Sequence, residues 1–370
     1  MTKHNRLISA NYFLLLANVF ALNAIGLVMV ISASTGVSDD GARSVISQII
    51  YTVIGFLLMF TISVLPEQFF FRFSNIFLIA ACILQSAVLS PLGVNSGGNT
   101  NWLRFGPITL QPSELLKLAV ILWLATGLTK RRSTSSDLSK GVIPSFVVIL
   151  AVCGLVFLGN DLGNVLIIVI IFFGVMIFAN IPMISLAFPL GVFSGIVFLA
   201  ATLSPNRMGR ILNFLNISCD KVDQHYLTLC WQPIQSVWAL ANGNVAGVGL
   251  GRSVAKWNWL PSATSDYIFA ILGEELGFVG SISLILLFLF LAITMVRIAR
   301  DANDLFARSI IGGVMFWLVG QALINIAVVL RFFPVLGVTL PFVSAGGSAL
   351  TTSMMAVGLV LGLIRRSSRV

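Results

Sequence analysis

Tyr12 to Ala33 reads YFLLLANVFALNAIGLVMVISA, 22 residues without a charge, preceded by Lys3, His4 and Arg6. A membrane span needs about 20 predominantly apolar residues, whereas the apolar stretch of a cleaved signal is about 7–15. The run is therefore expected to remain as an uncleaved first helix. Nine similar runs follow, near 46–65, 74–91, 112–128, 142–158, 163–180, 182–203, 270–296, 307–330 and 345–364. The fourth and fifth are short and the link from fifth to sixth is tight. Asn180-Ile181-Pro182 separates the sixth from the seventh, because proline cannot continue a helix interior. The expectation is an all-α polytopic membrane protein of about ten transmembrane helices, a single membrane domain over 1–370.

Composition agrees. Of 370 residues 58% are hydrophobic and 9% charged, and mean hydropathy is +1.00; a soluble domain carries roughly a quarter charged residues. The net charge of +9 does not point to nucleic acid, because the basic residues cluster at the ends of apolar runs. Four cysteines without a CxxC pair give no disulfide framework, and His4 and His225 are too far apart for a histidine-rich metal site. No 20–50-residue repeat is evident.

With the N-terminus inside, the cytoplasmic segments hold Lys3, Arg6, Arg72, Lys130, Arg131, Arg132, Lys140, Arg297, Arg300, Arg308, Arg365, Arg366 and Arg369, against Arg43, Arg104 and Arg331 in short outer loops. That asymmetry follows the positive-inside rule and puts both termini in the cytoplasm. Two outer segments exceed the length of ordinary connectors: one near Gly93–Gln111, the other a large loop between helices 7 and 8, about 204–265. Amphipathic stretches at Arg207–Leu215 and Pro233–Ala241 suit the membrane interface or a dip back into the protein. Cys219 and Cys230 lie in this loop, in a disulfide-permissive compartment, with bridged and free both open.

Thirteen acids serve the chain, and most lie in loops where water accounts for them. Glu114, Asp161, Asp266, Glu274 and Glu275 lie beside or within apolar runs, where ionisable groups are costly and mark functional sites by default. Glu114 and Lys117 occur in Gln111-Pro112-Ser113-Glu114-Leu115-Leu116-Lys117, with Pro112 suited to a first helical position and Lys117 on the face of Glu114. They read as a self-neutralising pair or as a polar pocket whose lysine meets a phosphate. Asp161, in Gly159-Asn160-Asp161-Leu162-Gly163, is open to plain turn chemistry. Asp266 precedes the eighth span and suits a helix cap. The flanking Gly247-Val248-Gly249-Leu250-Gly251-Arg252-Ser253-Val254-Ala255-Lys256 adds cations and a backbone able to approach a ligand closely, which favours a functional carboxylate.

At these residues the chain resembles the SEDS family (shape, elongation, division and sporulation) of RodA and FtsW type. The matching stretches are Trp102-Leu103; Gln111 to Lys117; Asp161-Leu162-Gly163; Arg207 and Arg210 before Leu212; Gly247 to Gly277 with Leu260-Pro261, Asp266-Tyr267-Ile268-Phe269-Ala270 and Glu274-Glu275-Leu276-Gly277; Asn325; and Leu340-Pro341-Phe342-Val343-Ser344-Ala345-Gly346-Gly347-Ser348. They run in order over nearly the whole chain. Gly249-Leu250-Gly251 with Ser253 and Lys256 looks closer to the FtsW division branch. Three departures stand out. Asn101 precedes Trp102 where the family often carries Arg, Thr264-Ser265 replaces a stretch that often holds His, and Ser344-Ala345-Gly346-Gly347 replaces Ser-Tyr-Gly-Gly.

The resemblance implies a ten-helix peptidoglycan glycosyltransferase of the bacterial inner membrane. It would join lipid II to a nascent glycan strand on the outer face, with release of undecaprenyl pyrophosphate. The implied partners are a class B penicillin-binding protein and the division machinery; nucleic acid is not among them. A β-1,4 link made from an α-linked donor inverts the anomeric carbon, so one general base suffices, unlike the carboxylate pair of a glycosidase. Asp266 is carried over as that base. Glu114, Lys117, Asp161, Arg207, Arg210 and Lys256 are expected to bind substrate, the cations meeting the departing pyrophosphate. The residues name no certain cofactor, and a divalent cation (Mg or Mn) could assist. The alternatives are a lipid II flippase, against which no internal repeat of transporter type is seen, and a non-catalytic division scaffold.

Overall fold

A peptide group in lipid has no water to bond, so an apolar run crosses a membrane only as a helix. The computed structural model describes residues 3–36, 41–96, 99–106, 108–131, 141–202 and 230–367. Its helices are α1 (Lys3–Ser34), α2 (Gly41–Val64), α3 (Glu67–Ser86), α4 (Pro112–Lys130), α5 (Ile143–Leu158), α6 (Leu162–Phe178), α7 (Met183–Thr202), α8 (Trp231–Asn242), α9 (Ile268–Asp301), α10 (Leu305–Val329) and α11 (Gly347–Ser367). Each of the ten apolar runs is one of these; α8 is the amphipathic stretch of the large loop. Seven helices are long and apolar enough to cross a membrane, and α5, α6 and α7 are shorter apolar ones.

Burial sorts the helices. α4, α10 and α11 are mostly enclosed, whereas α2, α3 and α9 turn most of their side chains outward. Ile76, Ile79, Ile83, Leu286 and Leu289 are exposed, as lipid-facing residues should be. Close approach relies on small residues, as is usual between membrane helices. Gly358 and Gly362 bring α11 against the α2 backbone at Met59 and Ser63, and Gly174 and Gly312 seat the rings of Phe316 and Phe178 between α6 and α10.

The segment 93–111, read from sequence only as a long outer loop, contains a small antiparallel sheet in the order β1-β2-β3, from β1 (Gly93–Ser96), β2 (Asn99–Phe105) and β3 (Ile108–Leu110). Val94 pairs with Trp102, and Leu103 with Leu110. Thr100 N donates to Gly159 O at 3.0 Å, fastening the sheet to the α5–α6 turn. Cys230, just before α8, is disulfide-bonded, while Cys82 and Cys153 are free; Cys219, its candidate partner, lies outside the described residues, as does the stretch Arg207–Leu215.

The eighth span is not the single rod expected over 270–296. α9 breaks at Gly277, where φ is 70° and ψ −164°, a combination essentially confined to glycine. The helical bonds from residues 278 and 279 back to 274 and 275 are missing, and the preceding loop supplies all four partners. Phe278 N donates to Asn244 O at 2.9 Å and Val279 N to Val245 O at 3.2 Å. Glu274 O and Glu275 O accept from Val248 N and Gly249 N, both at 3.0 Å. At Gly247, φ +82°, a Cβ would fall on the Glu275 carbonyl. Glu274 and Glu275 thereby end a short helical segment that begins just after Asp266.

Candidate active site

Pro112 opens α4 at a position where its missing N–H costs nothing, which sets Glu114 in the first turn and Lys117 one turn on. Both side chains are buried. The Lys117 ammonium donates to Glu114 Oε1 at 2.8 Å and to Gln321 Oε1 of α10 at 3.0 Å, and stands 5.0 Å from the centre of the Trp317 ring. Trp317 Nε1 donates to the same Gln321 oxygen at 3.0 Å. Glu114 Oε2 is buried with no hydrogen-bond partner among the described residues.

Asp161 caps α6, accepting from Asn164 N at 3.0 Å. Its second oxygen accepts from Asn101 Nδ2 of β2 at 2.9 Å, Asn164 Nδ2 at 2.8 Å and Gln111 Nε2 at 3.5 Å. Asn164 also donates to Ser113 Oγ at 3.1 Å, so the starts of α4 and α6 and the small sheet converge on this carboxylate. The turn reading is therefore true but incomplete. Asp161 lies within electrostatic reach of both the Lys117 ammonium and the Asp266 carboxylate.

Asp266 ends the turn before α9. Tyr267, not Asp266, is the cap residue there, and no side chain caps the helix, so the capping alternative is not what the structure contains. Its carboxylate keeps a partial opening to solvent, but protein surrounds it on most sides. Burial, with the Asp161 charge adding to it, pushes its pKa up to about 6. Asp266 Oδ2 looks onto Gly337, φ +70°, where an added Cβ would sit 3.7 Å away.

Lys256 is elsewhere. Its ammonium donates to Gly251 O at 2.7 Å, Glu275 Oε1 at 3.2 Å and Ser32 Oγ of α1 at 3.3 Å, which uses all three of its donors. Glu275 also accepts from Ser32 Oγ at 2.6 and 2.7 Å and from Ser253 N at 3.3 Å. Glu274 accepts from Ser253 Oγ, from Asn242 Nδ2 at 2.8 Å, from Val254 N at 3.1 Å and from Ala255 N at 3.2 Å. Lys256, expected to meet substrate, is buried and engaged in fastening the 251–256 loop to α1 and α9. Arg207 and Arg210 lie outside the described residues.

The structure thus brings together Glu114, Lys117, Asp161 and Asp266. Residues that sequence reasoning did not single out are Asn164, Gln321 and Trp317. A signal existed for one of them, since Gln321 and Asn325 lie four apart in the apolar run 307–330, on one helix face. Among the described residues no three His, Cys, Asp or Glu side chains are grouped so that they could hold a metal ion.

Known proteins supply an independent comparison. The FtsW/RodA/SpoVE family model, described as "Cell cycle protein", matches residues 13–369. "Stage V sporulation protein E" of Bacillus subtilis is 35% identical over 360 residues, covering 96% of this chain and 97% of that one. The "Probable peptidoglycan glycosyltransferase FtsW" of Coxiella burnetii is 34% identical over 349 residues, 92% of each chain. Among solved structures, a chain from the work described as "Structural coordination of polymerization and crosslinking by a peptidoglycan synthase complex" superposes with a TM-score of 0.77, at 26% identity over 95% of this chain and 97% of that one. The rod shape determining protein RodA of Thermus thermophilus gives 0.69 at 26% identity, over 95% of each chain. Matched in sequence and in fold along nearly its whole length, the chain belongs to the FtsW/RodA/SpoVE family of cell cycle proteins.

Proposed function

We propose that the protein is a peptidoglycan glycosyltransferase that polymerises lipid II into glycan strands, on the division branch of its family. What carries the reading is the position of Asp266: a carboxylate with a pKa raised to about 6, open to one side, in a polar cluster with Asp161 and the buried Lys117. Ionised Asp266 takes the proton from the acceptor 4-hydroxyl. That oxygen bonds the donor's anomeric carbon as the bond to pyrophosphate breaks, and the configuration inverts. Lys117 contributes positive charge from within the protein, where low dielectric lengthens its reach, and Arg207 and Arg210 are the other candidates for the pyrophosphate. Asp161, held by four donors, keeps the site negative and favours proton uptake by Asp266. No step of this scheme runs through a metal ion.

The chain is read as one membrane domain with both termini cytoplasmic and the site outside, supported by the thirteen-to-three arrangement of basic residues. Ser262, exposed before α9, should label from outside after Ser262→Cys; labelling only from the cytoplasm overturns the orientation. The partner we infer is a class B penicillin-binding protein, which crosslinks what this chain polymerises.

The deciding experiment is purified protein with labelled lipid II in detergent. A ladder of glycan products is expected, absent in Asp266→Asn. Lipid II movement across vesicles with no ladder in detergent would instead support the flippase reading, which Glu114 Oε2, buried in an apolar helix with no hydrogen-bond partner among the described residues, favours.

A further inference from the structure

The turn that carries Asp266 is held from outside itself. Three successive backbone carbonyls accept hydrogen bonds from residues far along the chain. Thr264 O accepts from Ala345 N at 2.9 Å, Ser265 O from Ser344 Oγ at 2.6 Å, and Asp266 O from Asn325 Nδ2 at 2.7 Å. Asn325 is buried on α10, and its second amide hydrogen reaches Val338 O, also at 2.7 Å. Two carbonyls facing one nitrogen fix which end of the amide is which.

The Asn325 oxygen gains nothing from this arrangement: Oδ1 is buried with no hydrogen-bond partner among the described residues. One acceptor is left unmet while the nitrogen meets two carbonyls, one of them the carbonyl of Asp266 itself. One turn earlier on the same face, Gln321 Nε2 donates to Thr339 O at 2.9 Å while Gln321 Oε1 accepts from Lys117. The two amides thus grip adjacent residues, Val338 and Thr339, and each reaches from there to one charged member of the site. Gly337, next to Val338, supplies the side-chain-free surface under Asp266 Oδ2.

From this we infer that Asn325 is a positioning residue for Asp266, fixing through its backbone carbonyl the direction in which the carboxylate enters the cleft, with Ser344 sharing the task. Gln321 does the corresponding work for Lys117. The inference rests on Asp266 being the proton acceptor in glycan polymerisation.

The test uses the full chain in detergent with labelled lipid II. Asn325→Ala should lower kcat about a hundredfold, the scale of a misplacement of about 1 Å, with KM changed less than about twofold. Ser344→Ala should move in the same sense by less. Gln321→Ala, which removes the same kind of side chain from the same helix, should act chiefly by raising KM. Folded Asn325→Ala with wild-type kcat, or a pattern in all three variants that is the same in kcat and KM, overturns the inference, since generic damage does not discriminate. Should Asn325→Ala not fold, Ser344→Ala decides: a fall in kcat at unchanged KM supports the role and a wild-type kcat removes it. Asp266→Asn, run alongside, separates the two failures. Activity surviving there removes the reading of Asp266 itself, whereas loss there beside wild-type Asn325→Ala and Ser344→Ala removes only the positioning role.

Discussion

Glu114 and Lys117 form an ion pair at 2.8 Å within one turn of α4, both side chains almost wholly buried. Removing one partner strands the other charge, at about 3–5 kcal/mol. Lys117→Ala is therefore expected to lower the thermal midpoint as well as lipid II use, and alone it cannot separate the two. The double variant Glu114→Gln with Lys117→Met removes both charges. It should recover most of the stability while polymerisation stays low, as thermal unfolding and a glycan gel would show. Recovery of both stability and activity would mean the pair is only structural.

A base with pKa about 6 sets the acidic side of the rate profile. Polymerisation at limiting lipid II should rise through about pH 6, since kcat/KM reports the free enzyme's base. Stability runs the opposite way. The fold favours the protonated acid, a contribution fully present below the ordinary value of 3.8 and lost as pH rises to about 6. At pH 7 Asp266→Asn should raise the thermal midpoint, and the difference should close as pH falls toward 4. A midpoint gap independent of pH would show that the carboxyl is not perturbed by its surroundings.

Gly277→Ala forces a Cβ to within 2.5 Å of Val245 O and 2.7 Å of Ala246 C in a conformation that alanine rarely adopts. Backbone strain alone is about 1–3 kcal/mol. The expected outcome is a loop 244–249 displaced from the break, read as faster proteolysis there and a lower midpoint. Gly280→Ala carries no positive-φ strain, but its Cβ would fall 2.2 Å from Leu276 Cβ; it too should lower the midpoint, with no faster proteolysis at 244–249.

Lys256 and Glu275 are paired at 3.2 Å with no exposure on either side chain. Lys256→Met should cost about 3–5 kcal/mol, with activity per folded molecule kept near wild type. Adding Glu275→Gln should restore part of the stability. A large loss of activity in a stable Lys256→Met protein would return this lysine to the substrate site.

The ten spans are legible because lipid permits so few alternatives: a run such as 163–180 can only be a helix. The sheet at 93–110 is not, since strands of four, seven and three residues carry too little alternation to stand out from a loop. Asp161, Glu114 and Lys117 announce themselves by charge in an apolar context. The same signal marks Lys256 without naming Gly251 and Glu275 as its neighbours, because charge says that a partner is required and not which one. Neutral Asn164 gives almost no signal and Gln321 only its spacing from Asn325, and which carboxylate or ammonium each meets is seen only in the fold. The break at Gly277 is hidden among Gly273, Gly277 and Gly280, three glycines alike in sequence and different only in what lies opposite.

That break also bears on how the chain is made. Its four displaced backbone groups would each be several kcal/mol unfavourable if left unmet in lipid, and their partners all come from Asn244 to Gly249, upstream of the helix. The ribosome therefore finishes the plug before it finishes the interrupted span, so the span never has to wait in the bilayer for its own repair. A circularly permuted chain opened between Gly249 and Asp266 would reverse that order of synthesis while leaving the finished contacts unchanged. Its yield in the membrane would be governed by biogenesis and not by the stability of the final fold.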